Sequence, residues 1–129
     1  MSTAPASPSP SAADLLDEIL VIDDEVLIRS FLRRGLSRRG LKVKLAEDAE
    51  EAKAMLEDNH RIKTIILDVC LAESSGIELL SWLQKTHPEL RIVMMTGLAP
   101  ELLADLEGID GVLVKPFRLD DVLEKLRIE

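Results

Sequence analysis

Three consecutive acids, Asp23, Asp24 and Glu25, follow directly on the apolar run Ile19-Leu20-Val21-Ile22. Carboxylates crowded at the end of a buried strand repel one another and lose hydration, and both effects penalise the charged form. Acids placed like this hold a cation or a proton. Other polar residues occupy equivalent places: Asp68 after Ile65-Ile66-Leu67, Thr96 after Ile92-Val93-Met94-Met95, and Lys115 after Val112-Leu113-Val114. If the apolar runs are parallel strands, these acids, the hydroxyl and the ammonium meet at one end of one sheet.

The rest of the chain supplies such a sheet. Strands are predicted at 19–22, 41–46, 64–69, 91–96 and 111–117, and helices at 26–37, 49–56, 76–86, 100–107 and 118–128. Apolar residues recur at helical spacing in the first helix (Leu27, Ile28, Phe31, Leu32, Leu36) and in the last (Leu119, Val122, Leu123, Leu126). Asp48 stands as an N-cap before the second helix, and His87-Pro88 closes the third. Five strands alternating with five helices define an α/β fold, a doubly wound parallel sheet covered on both faces. Four runs are almost continuously apolar, as central parallel strands are, and only 41–46 alternates like an edge strand. The order is 2-1-3-4-5, and ligands in such sheets bind beyond the strand carboxyl ends where strands one and three part.

The charges at that crevice dictate a chemistry. Without a counter-ion, Asp23, Asp24 and Asp68 could not all ionise readily. Mg²⁺ takes oxygen ligands and binds through one or two carboxylates plus phosphate. Lys115 and Thr96 lie across from the acids, placed to meet a second anion. Metal, ammonium and hydroxyl around one carboxylate suit phosphoryl transfer to it. Asp68, central on strand three, is the candidate nucleophile, and Asp23 and Asp24 are the candidate metal ligands.

Composition narrows the class further. The 129 residues suffice for one domain, and a net charge of −8 opposes direct nucleic-acid binding. Cys70 is the single cysteine, which excludes an internal disulfide. No apolar run approaches the length of a membrane span. Residues 1–16 begin with the Pro/Ser/Ala-rich stretch MSTAPASPSPSAAD, which resembles no targeting peptide and reads as a flexible tail before a domain at 17–129. The cytoplasm is the expected compartment.

From Ile19 to Ile128 the chain resembles the receiver domain of two-component response regulators, the CheY-like superfamily with a flavodoxin-like (βα)5 three-layer sandwich. The acid pair is Asp23-Asp24, the phosphoacceptor Asp68, the hydroxyl residue Thr96, and the Lys-Pro pair Lys115-Pro116, while Gly76 matches the glycine of the loop after the acceptor. The resemblance implies Mg²⁺ bound by Asp24 directly, by Asp23 mostly through water, by Asp68 and by the backbone carbonyl of Cys70. It also implies a cis Lys115-Pro116 bond and a phosphohistidine donor on a histidine kinase or phosphotransfer protein. Two departures stand out. Leu71-Ala72 replaces the usual Met-Pro, and Val112 stands where relatives carry a switching Tyr or Phe. Read-out is therefore expected from the loop Gly97-Leu98-Ala99 and a short helix after it.

The expectation is a single-domain response regulator that signals by phosphorylation-dependent binding to an unidentified protein, and not an enzyme. The alternatives are a phosphate shuttle or sink between kinases, or the receiver portion of a hybrid kinase. A haloacid-dehalogenase-type phosphatase is disfavoured, since that class needs an acid two residues after its nucleophile and Cys70 stands there. Cys70 is read as a small side chain lining the site, the arginines of the first helix (Arg29, Arg33, Arg34, Arg38, Arg39) as a solvated face, His60 and His87 as solvated loop residues, and Trp82 as a half-buried helix residue.

Overall fold

The computed structural model describes residues 17–71, 75–97, 103 and 106–127. Within them the chain runs β1 (Glu18–Ile22), α1 (Val26–Ser37), β2 (Lys42–Ala46), α2 (Ala49–Asp58), β3 (Ile62–Asp68), α3 (Gly76–Thr86), β4 (Arg91–Thr96), β5 (Gly111–Val114) and α4 (Leu119–Leu126). The strands form one sheet in the order β2-β1-β3-β4-β5, with every neighbouring pair parallel. This is the expected topology.

The period of two along each strand explains the two layers of core. Leu20 and Ile22 of β1, Ile65 and Leu67 of β3, and Ile92 and Met94 of β4 face one side, where Ala52 and Leu56 of α2 and Leu79, Leu80 and Leu83 of α3 cover them. Ile19, Val21, Ile66, Val93 and Met95 face the other, beneath Leu32 and Leu36 of α1 and Val122, Leu123 and Leu126 of α4. A strand buried on both faces reads as a continuous apolar run, and β1 and β4 do. β2 differs because it lies at an edge, so Lys42 and Lys44 stay exposed. Charged edge residues of this kind also discourage pairing with another chain.

Several boundaries move for identifiable reasons. β5 ends at Val114 rather than 117, because Pro116 has no N–H to continue a ladder. β3 starts at Ile62, two residues early, where it pairs with Glu18 across an irregularity in register. α4 is shorter than expected, Leu119–Leu126, and Arg127 adopts a left-handed conformation (φ 61°) that closes it. Of the helix expected at 100–107, only Leu103, Leu106 and Glu107 are described, and the rest lies outside the described residues, as do 1–16. Leu103 is buried against the α2–α3 core.

The apolar spacing in α1 does not translate into a single buried face. Leu27 and Phe31 do not turn inward: Val26, Leu27 and Phe31 are 64%, 79% and 41% exposed. The helix carries two apolar rows, and the sheet accommodates only Leu32 and Leu36 fully. Leu27 and Phe31, four residues apart, form the second row, and the Phe31 ring lies 6.3 Å from that of Phe117.

Candidate functional site

Each site residue sits where a strand stops. β1 ends at Ile22, and Asp23 is still tied to the sheet by its N–H, which donates to the Ala46 carbonyl at 3.1 Å. Its carboxylate has no solvent exposure. Oδ1 accepts the Glu25 backbone N–H at 2.8 Å, and the Asp23 carbonyl accepts a bond from Arg29 Nη1 at 2.6 Å. Arg29 therefore anchors the acid turn, and the solvated-face reading is corrected for this arginine. Asp68 is the last residue of β3, buried at 4% exposure, and its Oδ1 accepts the Cys70 N–H at 3.0 Å.

The loop after Asp68 is closed by contact with its own start. The Gly76 N–H donates to the Val69 carbonyl at 2.9 Å, and Ser75 caps α3 by accepting the Ile77 N–H. A Cβ on Gly76 would lie 2.1 Å from the Asp68 carbonyl oxygen. Only glycine allows this approach, so the residue at the helix start holds the Asp68 backbone in place.

β4 and β5 deliver the other side. Thr96 is buried, pairs with Val114 in the sheet, and its carbonyl accepts the Lys115 N–H at 2.7 Å. The Lys115-Pro116 bond is cis. Lys115 Nζ donates to Glu25 Oε1 at 2.9 Å, Asp23 Oδ2 at 3.0 Å and Asp68 Oδ2 at 3.1 Å. A cavity of about 420 Å³ opens here, lined by Asp24, Glu25, Asp68, Cys70, Gly97 and Lys115.

The structure thus brings Asp23, Asp68 and Lys115 into direct contact and places Asp24, Cys70 and Gly97 at the cavity wall. Val112 is half-buried against the α2–α3 core, and Leu98 lies outside the described residues. Among the remaining residues read as bland, Trp82 is half-buried with Lys53 Nζ 5.1 Å from its ring centroid. His60 is exposed, whereas His87 is half-buried with its ring 5.5 Å from Trp82. Sequence reasoning gave Glu25 and Arg29 no part in the site.

Electrostatics follow from burial. Desolvation pushes the Asp23 carboxyl above the ordinary 3.8, and the nearby Asp68 charge adds to this, while the Glu25 N–H and Lys115 oppose it. Burial alone would lower the Lys115 ammonium, but its hydrogen bonds to Glu25, Asp23 and Asp68 outweigh that and hold it above its usual range. Carboxylate oxygens of Asp23, Glu25 and Asp68 all lie within 4.8 Å of one another. A buried acid with a raised pKa beside further carboxylate oxygens fits a hard divalent cation, which prefers oxygen ligands and offsets their repulsion.

A doubly wound parallel sheet with an acid pocket at its switch point defines a class, and comparison with known proteins specifies it. Residues 19–127 match the response regulator receiver domain family. The chain belongs to that family. It is 38% identical over 112 residues to response regulator MprA of Mycobacterium sp. (strain KMS), covering 84% of this chain and 48% of that protein. MprA of Mycobacterium avium (strain 104) is also 38% identical over 112 residues, with 84% and 49% covered. The chain spans about half the length of these curated relatives. Among solved structures, Thermotoga maritima response regulator TrrA in complex with Mg²⁺-BeF superposes with a TM-score of 0.77 at 30% identity, covering 86% of this chain and 96% of that one. Vibrio cholerae chemotaxis protein CheY4 gives 0.79 at 29% identity, covering 87% and 97%.

Proposed function

We propose that Asp68 is the phosphoacceptor of a two-component phosphorelay in the cytoplasm. A carboxylate oxygen of Asp68 attacks the phosphorus of a phosphohistidine on a histidine kinase or phosphotransfer protein. A P–O bond forms, the P–N bond breaks, and the electron pair returns to the imidazole nitrogen of the donor. The observation that carries this reading is Asp68 Oδ2 lying 3.1 Å from Lys115 Nζ at the wall of an open cavity. The ammonium is placed to pair with the oxygens of an arriving phosphoryl group. Thr96, at the adjoining strand end, is assigned the neighbouring phosphoryl oxygen.

Asp23, Asp24 and Asp68, with the Cys70 carbonyl, are the residues that would hold Mg²⁺. When bound, the ion supplies positive charge that neutralises phosphoryl oxygens. The family match and the Mg²⁺-BeF complex of TrrA support this assignment. The phosphorylated domain is then read out by a protein partner, with the receiver passing on the signal by binding alone. Immunoblotting of native protein at the mass of this chain alone checks the single-domain part of the reading.

Intact-mass measurement after incubation with acetyl phosphate and Mg²⁺ tests the chemistry. One phosphoryl group is expected on the wild type and none on Asp68→Asn. A modified Asp68→Asn protein would overturn the assignment.

A further inference from the structure

An ammonium has three N–H donors, and Lys115 commits one each to Asp23, Glu25 and Asp68. A phosphoryl group on Asp68 takes up the donor now given to Asp68 Oδ2 and brings further oxygens that compete for the other two. Asp23 is fully buried and held through Oδ1 by the Glu25 N–H. Asp68 is the acceptor itself, held through Oδ1 by the Cys70 N–H. Glu25 is different, because its side chain is 59% exposed. It occupies the N-cap of α1 with extended backbone (φ −87°, ψ 117°) yet makes no side-chain cap to that helix. Its carboxylate instead reaches Lys115, from a residue 90 positions away in the chain.

We propose that Glu25 is a displaceable counter-ion for Lys115: it occupies the ammonium in the unphosphorylated domain and gives it up to the phosphoryl group. This rests on Asp68 being the phosphoacceptor. Two physical effects act in the same direction. The Glu25–Lys115 pair competes with the phosphoryl oxygens for the ammonium. The freed carboxylate also remains at the wall of the 420 Å³ cavity, where it repels the added dianion. Both lower the domain's hold on a phosphoryl group. Because Glu25 is exposed and solvent screens the pair, the displacement is easy and its effect modest. Glu25 thus tunes the site without blocking it.

A metal-ligand role for Glu25 predicts the opposite sign, since its oxygen also lies near those of Asp23 and Asp68. Titration of wild type, Glu25→Gln and Glu89→Gln, first with Mg²⁺ and then with beryllofluoride in saturating Mg²⁺, separates the two by amide chemical shifts. Glu89 lies in the turn before β4, at the opposite end of the sheet, and controls for net charge. Glu25→Gln is expected to bind the phosphoryl mimic about two- to fivefold more tightly, with Mg²⁺ affinity changed by less than about threefold and Glu89→Gln like wild type. Unchanged or weaker binding of the mimic by Glu25→Gln overturns the proposal. So does a larger loss of Mg²⁺ affinity, which would make Glu25 a ligand. Failure of the wild type itself to bind the mimic would instead strike the phosphoacceptor reading, and this inference with it.

Discussion

Asp23 has no solvent-exposed surface and faces Asp68 across the Lys115 ammonium. Its charge is a burden on the metal-free fold, and the sign of that burden is testable. Burial raises its pKa above 3.8, so the folded domain holds this proton to higher pH than the unfolded chain does. The penalty is absent below about 3.8, grows as pH rises through the interval up to the folded pKa, and is complete above it. In chelator, Asp23→Asn is therefore expected to melt higher than wild type at neutral pH, with the gap closing as pH falls. Thermal melts of both proteins across a pH series check this, and parallel curves would refute it. The acid pair, Asp68, Thr96 and Lys115 were legible in the sequence because each follows an apolar run and the runs share a direction. Glu25 and Arg29 were not, because their contacts depend on which way one long side chain turns and on a distance set only by folding.

Elements place these residues through close backbone approach as much as through strand direction. Gly76 starts α3 directly against the backbone of Asp68 and Val69, where a Cβ would lie 2.1 Å and 2.7 Å from their carbonyl oxygens. Backbone cannot move aside as a side chain can. Gly76→Ala is therefore expected to destabilise the domain by about 1–3 kcal/mol and to slow the phosphorylation proposed for Asp68, since relief requires displacing that residue. Urea unfolding and the rate of mass gain with acetyl phosphate measure the two effects, and a variant as stable and as fast as wild type would show that the loop adapts freely. The element order and the alternation of β2 were readable from periodicity. The inward face of α1 was not, because Leu27 and Phe31 fall at helical spacing as convincingly as Leu32 and Leu36, and periodicity cannot count how many rows a neighbouring sheet will cover.

At the scale of the whole molecule, acids from β1 and β3 and a cation from the end of β5 make stability depend on what fills the pocket. The proposed Mg²⁺ site exists only in the assembled cluster, so saturating Mg²⁺ is expected to raise the melting temperature by several degrees. Asp24→Ala is expected to lose that gain, and an equal shift in both proteins would remove Asp24 from the metal site. Lys115 also joins distant parts of the polypeptide: its partners Asp23, Glu25 and Asp68 are 92, 90 and 47 positions earlier in sequence. Closing loops that long costs entropy that the contacts must return. During synthesis the acids leave the ribosome first, and their cation emerges only after all the strands before it. A nascent chain short of residue 115 carries Asp68 without the ammonium that contacts it in the folded domain. The order of translation therefore leaves the acid cluster without its cation until the last strand has been made.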